Sequence, residues 1–98
     1  MQTKYRISKL AEADIDNIWL YTLETWSFAQ ANRYYRLIYQ EIGFIVEDFE
    51  SGKDISEVKI GYRQAKVKSH LIIYKKADDG VIEILRVLHE TMDIPNKL

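Results

Sequence analysis

Two hydrophobic periods divide the chain into a helical first half and a sheet-forming second half. Polar and apolar residues alternate briefly near the start, which predicts a short strand over residues 3–7. Apolar residues then recur at helical spacing from Ser8 to about Gly52, and from Gly61 onward the period falls to two. The pattern therefore predicts one strand, a helical region and then a set of strands.

The helical region contains two helices joined by a very short turn. Ser8 is placed to N-cap the first helix, and Ser27 followed by Gln30 matches the capping box that opens a second. The predicted buried stripe of the first helix is Ile15, Ile18, Trp19, Thr22 and Trp26. The stripe of the second is Ala31, Tyr34 or Tyr35, Ile38, Ile42, Ile45 and Phe49, with Gly52 as the stop. Because the turn is so short, the helices must pack back to back as a hairpin.

Turn signals divide the second half into three strands. Residues 51–60 are polar and mixed, which predicts a loop. The dipeptide Lys68-Ser69 predicts a tight hairpin, and Asp78-Asp79-Gly80 predicts a second turn. The predicted strands are 62–67, 70–75 and 81–88. The last strand is apolar on both faces and is therefore expected at the centre of the sheet, whereas the tail from His89 has no clear period.

The element order β-α-α-β-β-β predicts an α+β fold, with a helical hairpin packed on one face of a mainly antiparallel sheet. The chain has 98 residues, which is too short for two domains, so residues 1–98 are expected to form one. A single helical layer would leave the second face of the sheet open. That open face is where the pattern places a ligand or a partner.

Composition narrows the class of protein. Hydrophobic residues make up 47% and charged residues 30%, which argues against disorder. The absence of cysteine excludes disulfides, thiolate catalysis and cysteine-type zinc sites. No apolar run approaches the ~18 residues of a membrane span, and no basic start followed by an apolar core indicates a secretory signal. We therefore expect a cytoplasmic protein with no membrane contact.

Charge is distributed unevenly along the chain. The net charge is −1, with an acidic excess in residues 1–50 and a basic excess in residues 51–98. Six cations follow one another without an acid between them: Lys59, Arg63, Lys66, Lys68, Lys75 and Lys76. Such a stretch attracts an acidic partner or a phosphate backbone. It is equally typical of the solvated side of a sheet, where lysines guard exposed edges.

Two residues of the last strand are candidates for chemistry. His89, at the strand end, is either a general acid or base or a polar residue bonded to backbone. Arg86 must pair, with Glu83 or Asp93, or face a ligand, because an unpaired buried guanidinium is costly. The sequence contains no Gly-rich phosphate loop and no paired histidine ligands, so neither a metal site nor a cofactor is predicted.

The helices carry more aromatic residues than one buried stripe can hide. The seven are Trp19, Tyr21, Trp26, Phe28, Tyr34, Tyr35 and Tyr39. The surplus, together with Leu20, Leu23 and Leu37, predicts a second apolar surface that a protein partner would cover. A homodimer would satisfy the same pattern, and the spacing does not choose between the two.

Four motifs in register resemble ParE toxins of the RelE/ParE superfamily. The first is Tyr5-Arg6-Ile7-Ser8-x-x-Ala11-x-x-Asp14-Ile15-x-x-Ile18-Trp19-x-Tyr21. Ala31-x-Arg33-Tyr34 and Gly61-Tyr62-Arg63 follow, and the last is Ile84-Leu85-Arg86-Val87-Leu88-His89-x-x-Met92-Asp93. Each motif alone is weak, but together they cover nearly the whole chain in the family's order.

The resemblance implies the toxin of a bacterial type II toxin–antitoxin system. Such a toxin inhibits DNA gyrase by protein contact, blocks replication and is held inactive by a ParD-like antitoxin, in a heterotetramer or larger complex. The resemblance implies that the protein has no cofactor and no catalytic residue, and that it does not itself recognise a nucleic-acid sequence. The candidate gyrase contacts are Arg86, His89, Met92, Asp93 and Ile94. The candidate antitoxin contacts are Trp19, Leu20, Leu23, Trp26, Tyr34, Arg63 and Lys66.

Two other functions stay open at this point. RelE-like and YoeB-like members of the superfamily are messenger-RNA endoribonucleases, and in that case His89, Lys66 and Arg63 would carry the chemistry. Glu90 stands where YoeB-like members have a tyrosine, and Lys66 is the nearest cation to the expected strand arginine. A non-toxic protein-interaction domain is the third possibility.

Overall fold

The computed structural model describes residues 5–98, and these form two long helices packed on a five-stranded sheet. The elements are β1 (Tyr5–Ile7), α1 (Lys9–Thr25), α2 (Phe28–Glu47), β2 (Lys53–Asp54), β3 (Arg63–Val67), β4 (His70–Lys76), β5 (Ile82–His89) and α3 (Ile94–Lys97). The predicted α+β fold is confirmed, and the structure adds β2 and α3 to the predicted element order. The start of the first predicted strand, at Thr3, lies outside the described residues.

The sheet has the order β1-β5-β4-β3-β2. β1 pairs with β5 in parallel, and every other neighbouring pair is antiparallel. The predicted central position of the last strand is therefore confirmed. The hairpin at Lys68-Ser69 is confirmed as well, because Val67 pairs with His70 across a two-residue turn.

Both long helices begin where their caps predict. The Ser8 hydroxyl accepts a hydrogen bond from the Ala11 amide at 3.0 Å, and the Ser27 hydroxyl accepts one from Gln30 at 3.1 Å. The predicted end of the second helix at Gly52 is wrong. The helix ends at Glu47, because Asp48 adopts a non-helical backbone, and a separate 3-10 turn follows over Phe49–Ser51.

The main core lies between the hairpin and the sheet. From α2 it buries Ala31, Ile38, Ile42 and Ile45, as the helical spacing predicts. From α1 it buries only Ala11 and Ile15 completely. The prediction for Trp26 as a stripe residue is wrong, since its side chain is 73% exposed. Trp26 is the C-cap of α1 and has left the helical backbone, so helical spacing no longer directs its side chain toward the sheet.

The predicted loop over residues 51–60 contains structure that its polar composition hides. Lys53 and Asp54 form β2 and pair with Gln64 and Arg63. Both β2 residues are exposed, so they leave no apolar alternation in the sequence to reveal a strand. Ile55, directly after β2, is 3% exposed.

The expectation of an open second sheet face is also wrong. Ile55, Ile73 and Leu88 form a small buried core on that side. Val58, Tyr62 and Leu71 and, from the C-terminal tail, Ile94 and Leu98 pack against it. Because β4 and β5 are apolar on both faces, the chain covers the second face with its own loop and tail.

A β-bulge in β5 shapes the end of the sheet. The register passes from Tyr74 opposite Ile84 to Ile73 opposite Arg86, which leaves Leu85 as the extra residue. The Leu85 carbonyl accepts a hydrogen bond from the Ser8 hydroxyl at 2.8 Å. Ser8 thus caps α1 and holds it to the bulge, which fixes the helix relative to the last residues of β5.

Candidate functional site

A cleft of about 760 Å³ opens between the helical hairpin and the end of the sheet where β5 finishes. Its walls come from α1, α2, the β3–β4 turn, β5 and the C-terminal tail. The apolar and aromatic lining residues are Ile18, Tyr21, Trp26, Tyr34, Leu37, Val87, Leu88 and Met92. The charged and imidazole residues are Asp14, Arg33, Lys68, His70, Arg86, His89 and Lys97.

Asp14 on α1 is the partner of Arg86. Its carboxylate accepts from Arg86 Nε at 2.8 Å and Nη2 at 3.0 Å, and also from the Val87 amide at 2.9 Å. The Arg86 side chain is 20% exposed and that of Asp14 15% exposed. The bonds to Asp14 raise the pKa of the Arg86 guanidinium, which stays charged. Arg86 Nη1 also donates to the Lys97 carbonyl at 3.2 Å, which ties the tail to β5.

The predicted partners of Arg86 were therefore wrong. Glu83 pairs instead with Arg6 and Lys75, and Asp93 accepts from Asn96 at the start of α3. Arg86 pairs with Asp14 on α1 instead, which the sequence pattern of β5 alone does not reveal.

Two histidines meet on the cleft wall. His70 and His89 are cross-strand partners, and their ring centroids lie 5.1 Å apart. The Tyr34 hydroxyl lies 2.6 Å from His70 Nδ1 and donates to the Val67 carbonyl at 3.0 Å. His89 Nδ1 accepts from the Thr91 amide at 3.2 Å and lies 2.7 Å from the Thr91 hydroxyl.

Burial sets the protonation of His70 and of the Tyr34 hydroxyl. Desolvation first, and then the neighbouring His89, lower the pKa of His70 below its ordinary value. Desolvation likewise raises the pKa of the Tyr34 hydroxyl. Near neutral pH, His70 is therefore uncharged and the Tyr34 hydroxyl keeps its proton. The site offers hydrogen-bond donors and acceptors rather than fixed charge at this point.

Three cations around the cleft have no ion pair within residues 5–98: Arg33, Lys68 and Lys97. Asp14 is the one carboxylate among the residues that line the described cleft, and Arg86 already binds it. The cleft is consequently positive in a chain whose net charge is −1.

The predicted gyrase contacts divide between the cleft and the tail. Arg86, His89 and Met92 line the cleft, and Met92 is 45% exposed. Asp93 precedes α3 at the surface. Ile94 packs against the second core. The tail is thus anchored by its apolar side chains while Met92 and Asp93 face solvent.

The predicted antitoxin contacts are distributed over both sides of the hairpin. Trp26 and Tyr34 line the cleft. Trp19 and Leu20 line a second groove of about 390 Å³, where the Trp19 indole donates to the Asn32 side chain at 3.0 Å. Leu23 is half-buried on α1.

Arg63 and Lys66 lie outside the cleft lining. Arg63 donates to the carbonyls of Glu50 and Gly52 and pairs with Asp54 at the far end of β3. Lys66 pairs with Glu90 at 3.0 Å, directly beyond His89. Since residues three apart on a strand point to opposite faces, the sheet does not bring Arg63 and Lys66 to one site.

Several cleft residues were not predicted from the sequence as parts of a site. Asp14, Arg33, Lys68, His70 and Lys97 come from five separate segments. His70 could have been placed from the sequence. Counting strand partners outward from the Asp78-Asp79-Gly80 turn sets it opposite the end of β5, within one residue of its observed partner. The bulge prevents a closer match. Within residues 5–98, no three histidine or carboxylate side chains gather as metal ligands, and no helix has both the length and the apolar character to cross a membrane.

Comparison with known proteins identifies the family. A model of the ParE toxin of the type II toxin–antitoxin system parDE matches residues 5–94. Toxin ParE1 of Mycobacterium tuberculosis is 32% identical over 98 residues, which cover 100% of both chains. Toxin ParE1 of Caulobacter vibrioides is 38% identical over 90 residues, 91% of each chain. Toxin ParE of Escherichia coli is 30% identical over 96 residues, 98% of this chain and 93% of that one.

A solved structure supports the fold. The chromosomal ParDE toxin–antitoxin system from P. aeruginosa contains a chain that superposes with a TM-score of 0.77, covering 89% of this chain and 95% of its own length. At 16% identity, that likeness concerns the fold alone. The family model and the relatives confirm the resemblance that the four sequence motifs indicate. The chain belongs to the ParE toxin family of type II toxin–antitoxin systems.

Proposed function

We propose that this ParE toxin inhibits DNA gyrase, blocks replication and is neutralised by a ParD-like antitoxin in the cytoplasm. The observation that carries the proposal is the ParE family match over residues 5–94, together with relatives called ParE toxins along nearly their whole length. The toxin acts by contact with gyrase rather than by catalysis of its own. Antitoxin and toxin associate as a heterotetramer or larger complex, whose mass light scattering would measure.

The gyrase-contacting surface is the end of β5 and the start of the tail, with Arg86, His89, Met92, Asp93 and Ile94. Met92 supports this placement because it is an exposed apolar side chain beside charged groups. Arg86 and Ile94 act differently, since Asp14 and the second core hold them and they fix the geometry of the surface.

The antitoxin covers the cleft and the apolar surface of the hairpin. Trp26 and Tyr21 are 73% and 65% exposed and stand at the cleft. Large apolar side chains at this exposure are typical of a surface that a partner buries. Trp19 and Leu20, in the second groove, extend the same surface around the hairpin.

Supercoiling by purified gyrase tests the gyrase contact. Wild-type toxin is expected to abolish supercoiling and accumulate cleaved DNA–gyrase complexes. Met92→Glu should weaken inhibition, whereas Ile60→Glu, at an exposed apolar residue outside the cleft lining, should not. Undiminished supercoiling in the presence of folded wild-type toxin would refute gyrase as the target.

Growth arrest tests the antitoxin contact. Induction of the toxin alone should stop growth, and co-expression of the ParD-like protein encoded beside it should restore growth. Trp26→Glu should reduce rescue with an unchanged circular dichroism spectrum, and Leu10→Glu, exposed at the other end of α1, serves as the control. Equal rescue of both variants would place the antitoxin elsewhere.

One observation favours ribonuclease activity as a second candidate. His89, His70 and Tyr34 lie together in a positive cleft, which offers proton-transfer groups near a place for phosphate. His89→Gln decides between the two functions. Toxicity falls by about 10²–10⁴-fold if His89 is a general acid or base. It survives or falls only modestly if the toxin acts by contact, because the substitution then costs a single local bond, and no new messenger-RNA ends appear. Growth that continues with abundant folded toxin would instead indicate a non-toxic interaction domain.

A further inference from the structure

The tail that follows β5 is short and has little structure of its own. The Met92 amide donates to the His89 carbonyl at 3.0 Å, which forms a turn directly after the strand. α3 has four residues, too few to form a stable helix alone. Ile94 and Leu98 are half-buried against the second core. Because the last residues of a chain fray unless they are held, the path of this tail depends on how its end is fixed.

The Arg86 guanidinium holds that end. Arg86 Nε and Nη2 donate to the Asp14 carboxylate at 2.8 and 3.0 Å, and Arg86 Nη1 donates to the Lys97 carbonyl at 3.2 Å. These three bonds form a clamp between α1, β5 and α3. The N–H groups of a guanidinium point in fixed directions within one plane. The carboxylate that binds two of the nitrogens therefore also sets the direction of the third, so we expect a change at Asp14 to alter the bond at Lys97.

Helix α1 is bonded to β5 on both sides of Arg86. The Val87 amide donates to the Asp14 carboxylate at 2.9 Å, and the Ser8 hydroxyl donates to the Leu85 carbonyl at 2.8 Å. The side chains of Asp14 and Arg86 are 15% and 20% exposed, so water competes weakly for their hydrogen bonds. The position of the carboxylate, and with it the orientation of the guanidinium, is consequently set by the backbone of β5.

The clamp closes the tail into a loop that is fixed at both ends. The first turn is fixed at Met92 and the last residues at Lys97. Met92 and Asp93 lie between these points, and both are exposed. A loop held in one geometry loses less conformational entropy when a partner binds its side chains. An ion pair that served stability alone would need the two bonds to Asp14, whereas the third bond, to the Lys97 carbonyl, acts on the tail.

We infer that Asp14 is a positioning residue for gyrase inhibition: it orients Arg86, and Arg86 holds the tail as a closed loop that presents Met92 and Asp93. The inference rests on the proposed function for the identity of gyrase as the target. Asp14 lies on α1 and is not among the proposed gyrase contacts. Its substitution therefore reports on positioning, whereas substitution of Arg86 or Met92 also removes a proposed contact.

Digestion by a carboxypeptidase measures the clamp without gyrase. Asp14→Asn should speed the release of Leu98 and Lys97 about tenfold, as expected for the loss of a hydrogen bond to a charged group. The matched control is Asp79→Asn, which removes a carboxylate from the exposed pair with Arg6 in the turn before β5 and should leave the rate unchanged. Equal rates of release from Asp14→Asn, Asp79→Asn and wild type would overturn the proposal.

A second control separates positioning from stability. Tyr74→Phe removes two hydrogen bonds of β4, outside the tail and the cleft lining, and should lower stability by a similar amount. Asp14→Asn should raise the toxin concentration that half-inhibits gyrase supercoiling about tenfold, and Tyr74→Phe should leave it unchanged, at a temperature where circular dichroism shows both variants folded. Equal losses of inhibition, or equally fast digestion of both tails, would reduce the role of Asp14 to stability and overturn the proposal.

Arg86→Lys tests whether Asp14 acts through Arg86. A lysine keeps a charge that pairs with Asp14 but lacks the planar fork that joins the carboxylate and the Lys97 carbonyl. The tail of Arg86→Lys should be digested about as fast as that of Asp14→Asn, and the double variant should be digested no faster. Additive effects would contradict a route through Arg86. Because Arg86→Lys retains an ion pair, it also tests the clamp if Asp14→Asn does not fold, and a tail as resistant as that of wild type would then overturn the proposal.

The two readouts distinguish failure of this inference from failure of the proposed function. If wild-type toxin left supercoiling intact while Asp14→Asn still lost its tail faster, gyrase would be refuted as the target and the clamp would stand. If wild-type toxin and Asp14→Asn inhibited gyrase equally, the target would stand and the positioning role of Asp14 would be refuted.

Discussion

The two ends of β3 differ in whether their cations have partners within the chain. The Arg63 end comprises Phe49, Gly52, Asp54, Arg63 and Tyr74. There Arg63 donates to two backbone carbonyls, pairs with Asp54 at 3.7 Å and lies 5.6 Å from the Phe49 ring centroid. At the other end, where the β3–β4 turn meets the cleft, Lys68 has no carboxylate partner among the described residues.

The difference separates residues that build the fold from residues available to a partner. Tyr74, fully buried, donates to the Phe49 carbonyl at 2.8 Å and accepts from the Gly52 amide at 3.1 Å. Tyr34, half-buried in the cleft, bonds to the Val67 carbonyl and to the His70 imidazole, which lines the cleft. Polar groups at the Arg63 end form hydrogen bonds within the chain, apart from the buried Arg63 Nε. Polar groups at the cleft keep hydrogen-bonding capacity that a partner could use. Mutations at the first end should therefore change stability, and mutations at the second should change binding.

Gly52→Ala should produce the largest loss of stability. A Cβ at Gly52 would lie 2.6 Å from the Gln64 carbonyl oxygen and would also meet the Tyr74 hydroxyl, so β2 would have to move. We expect the free energy of unfolding to fall by about 3 kcal/mol in urea titrations. Gly43→Ala is the control, because nothing lies within 4 Å of its Cβ on α2, and it should stabilise by about 0.5–1 kcal/mol. A Gly52→Ala protein as stable as wild type would show that the Arg63 end is loosely packed.

Asp14→Asn tests Arg86, the cleft cation that forms an ion pair within the chain. Removal of the Asp14 charge leaves the largely buried Arg86 guanidinium unpaired, which should destabilise the protein by about 2 kcal/mol, less than for a fully buried pair. Asp79→Asn removes a carboxylate from an exposed pair with Arg6 and should leave the melting temperature nearly unchanged. Similar melting temperatures for both variants would mean that the Asp14–Arg86 pair contributes as little as a surface pair.

The fold could be predicted because its signals are local. Ser8 and Ser27 mark the starts of the helices, and the change of hydrophobic period from Gly61 predicts the sheet. The errors fall where tertiary contacts decide. β2 is two exposed residues held by β3, and the second sheet face is covered by residues from a polar loop and an aperiodic tail.

The site was harder to predict because it is assembled from distant segments. Arg86 was expected to need a partner, but Asp14 is 72 residues away in the sequence, and Glu83 is already paired with Arg6 and Lys75. Lys68 and Lys97 are ordinary exposed lysines in sequence, and only the hairpin register and the position of α3 bring them to one cleft. Motif resemblance found Arg86, His89 and Met92 because these lie in one continuous segment.

A pair of tyrosine substitutions compares the two ends directly. Tyr74→Phe leaves a half-buried carbonyl and a half-buried amide without their partner, so we expect a loss of about 1.5 kcal/mol in the free energy of unfolding. Tyr34→Phe should lose about 0.5 kcal/mol, since water in the cleft replaces the hydroxyl. Binding of the ParD-like antitoxin should respond in the opposite order. If Tyr74→Phe weakened binding as much as Tyr34→Phe, the separation of fold from function would fail.

The smallest expected effect is a pH dependence of stability that belongs to the cleft. Burial and His89 lower the pKa of His70, so the unfolded chain takes up a proton at a higher pH than the folded chain. Stability from this residue is full above the unfolded pKa of 6.5 and declines as the pH falls below it. At the Arg63 end, hydrogen bonds from Ser56 lower the pKa of Asp54, and that contribution is lost only near and below about pH 4. Urea titrations at about pH 8 and pH 5.5 should therefore show a decline that His70→Gln removes and Asp54→Asn does not, and a decline that persists in His70→Gln would assign it to another group.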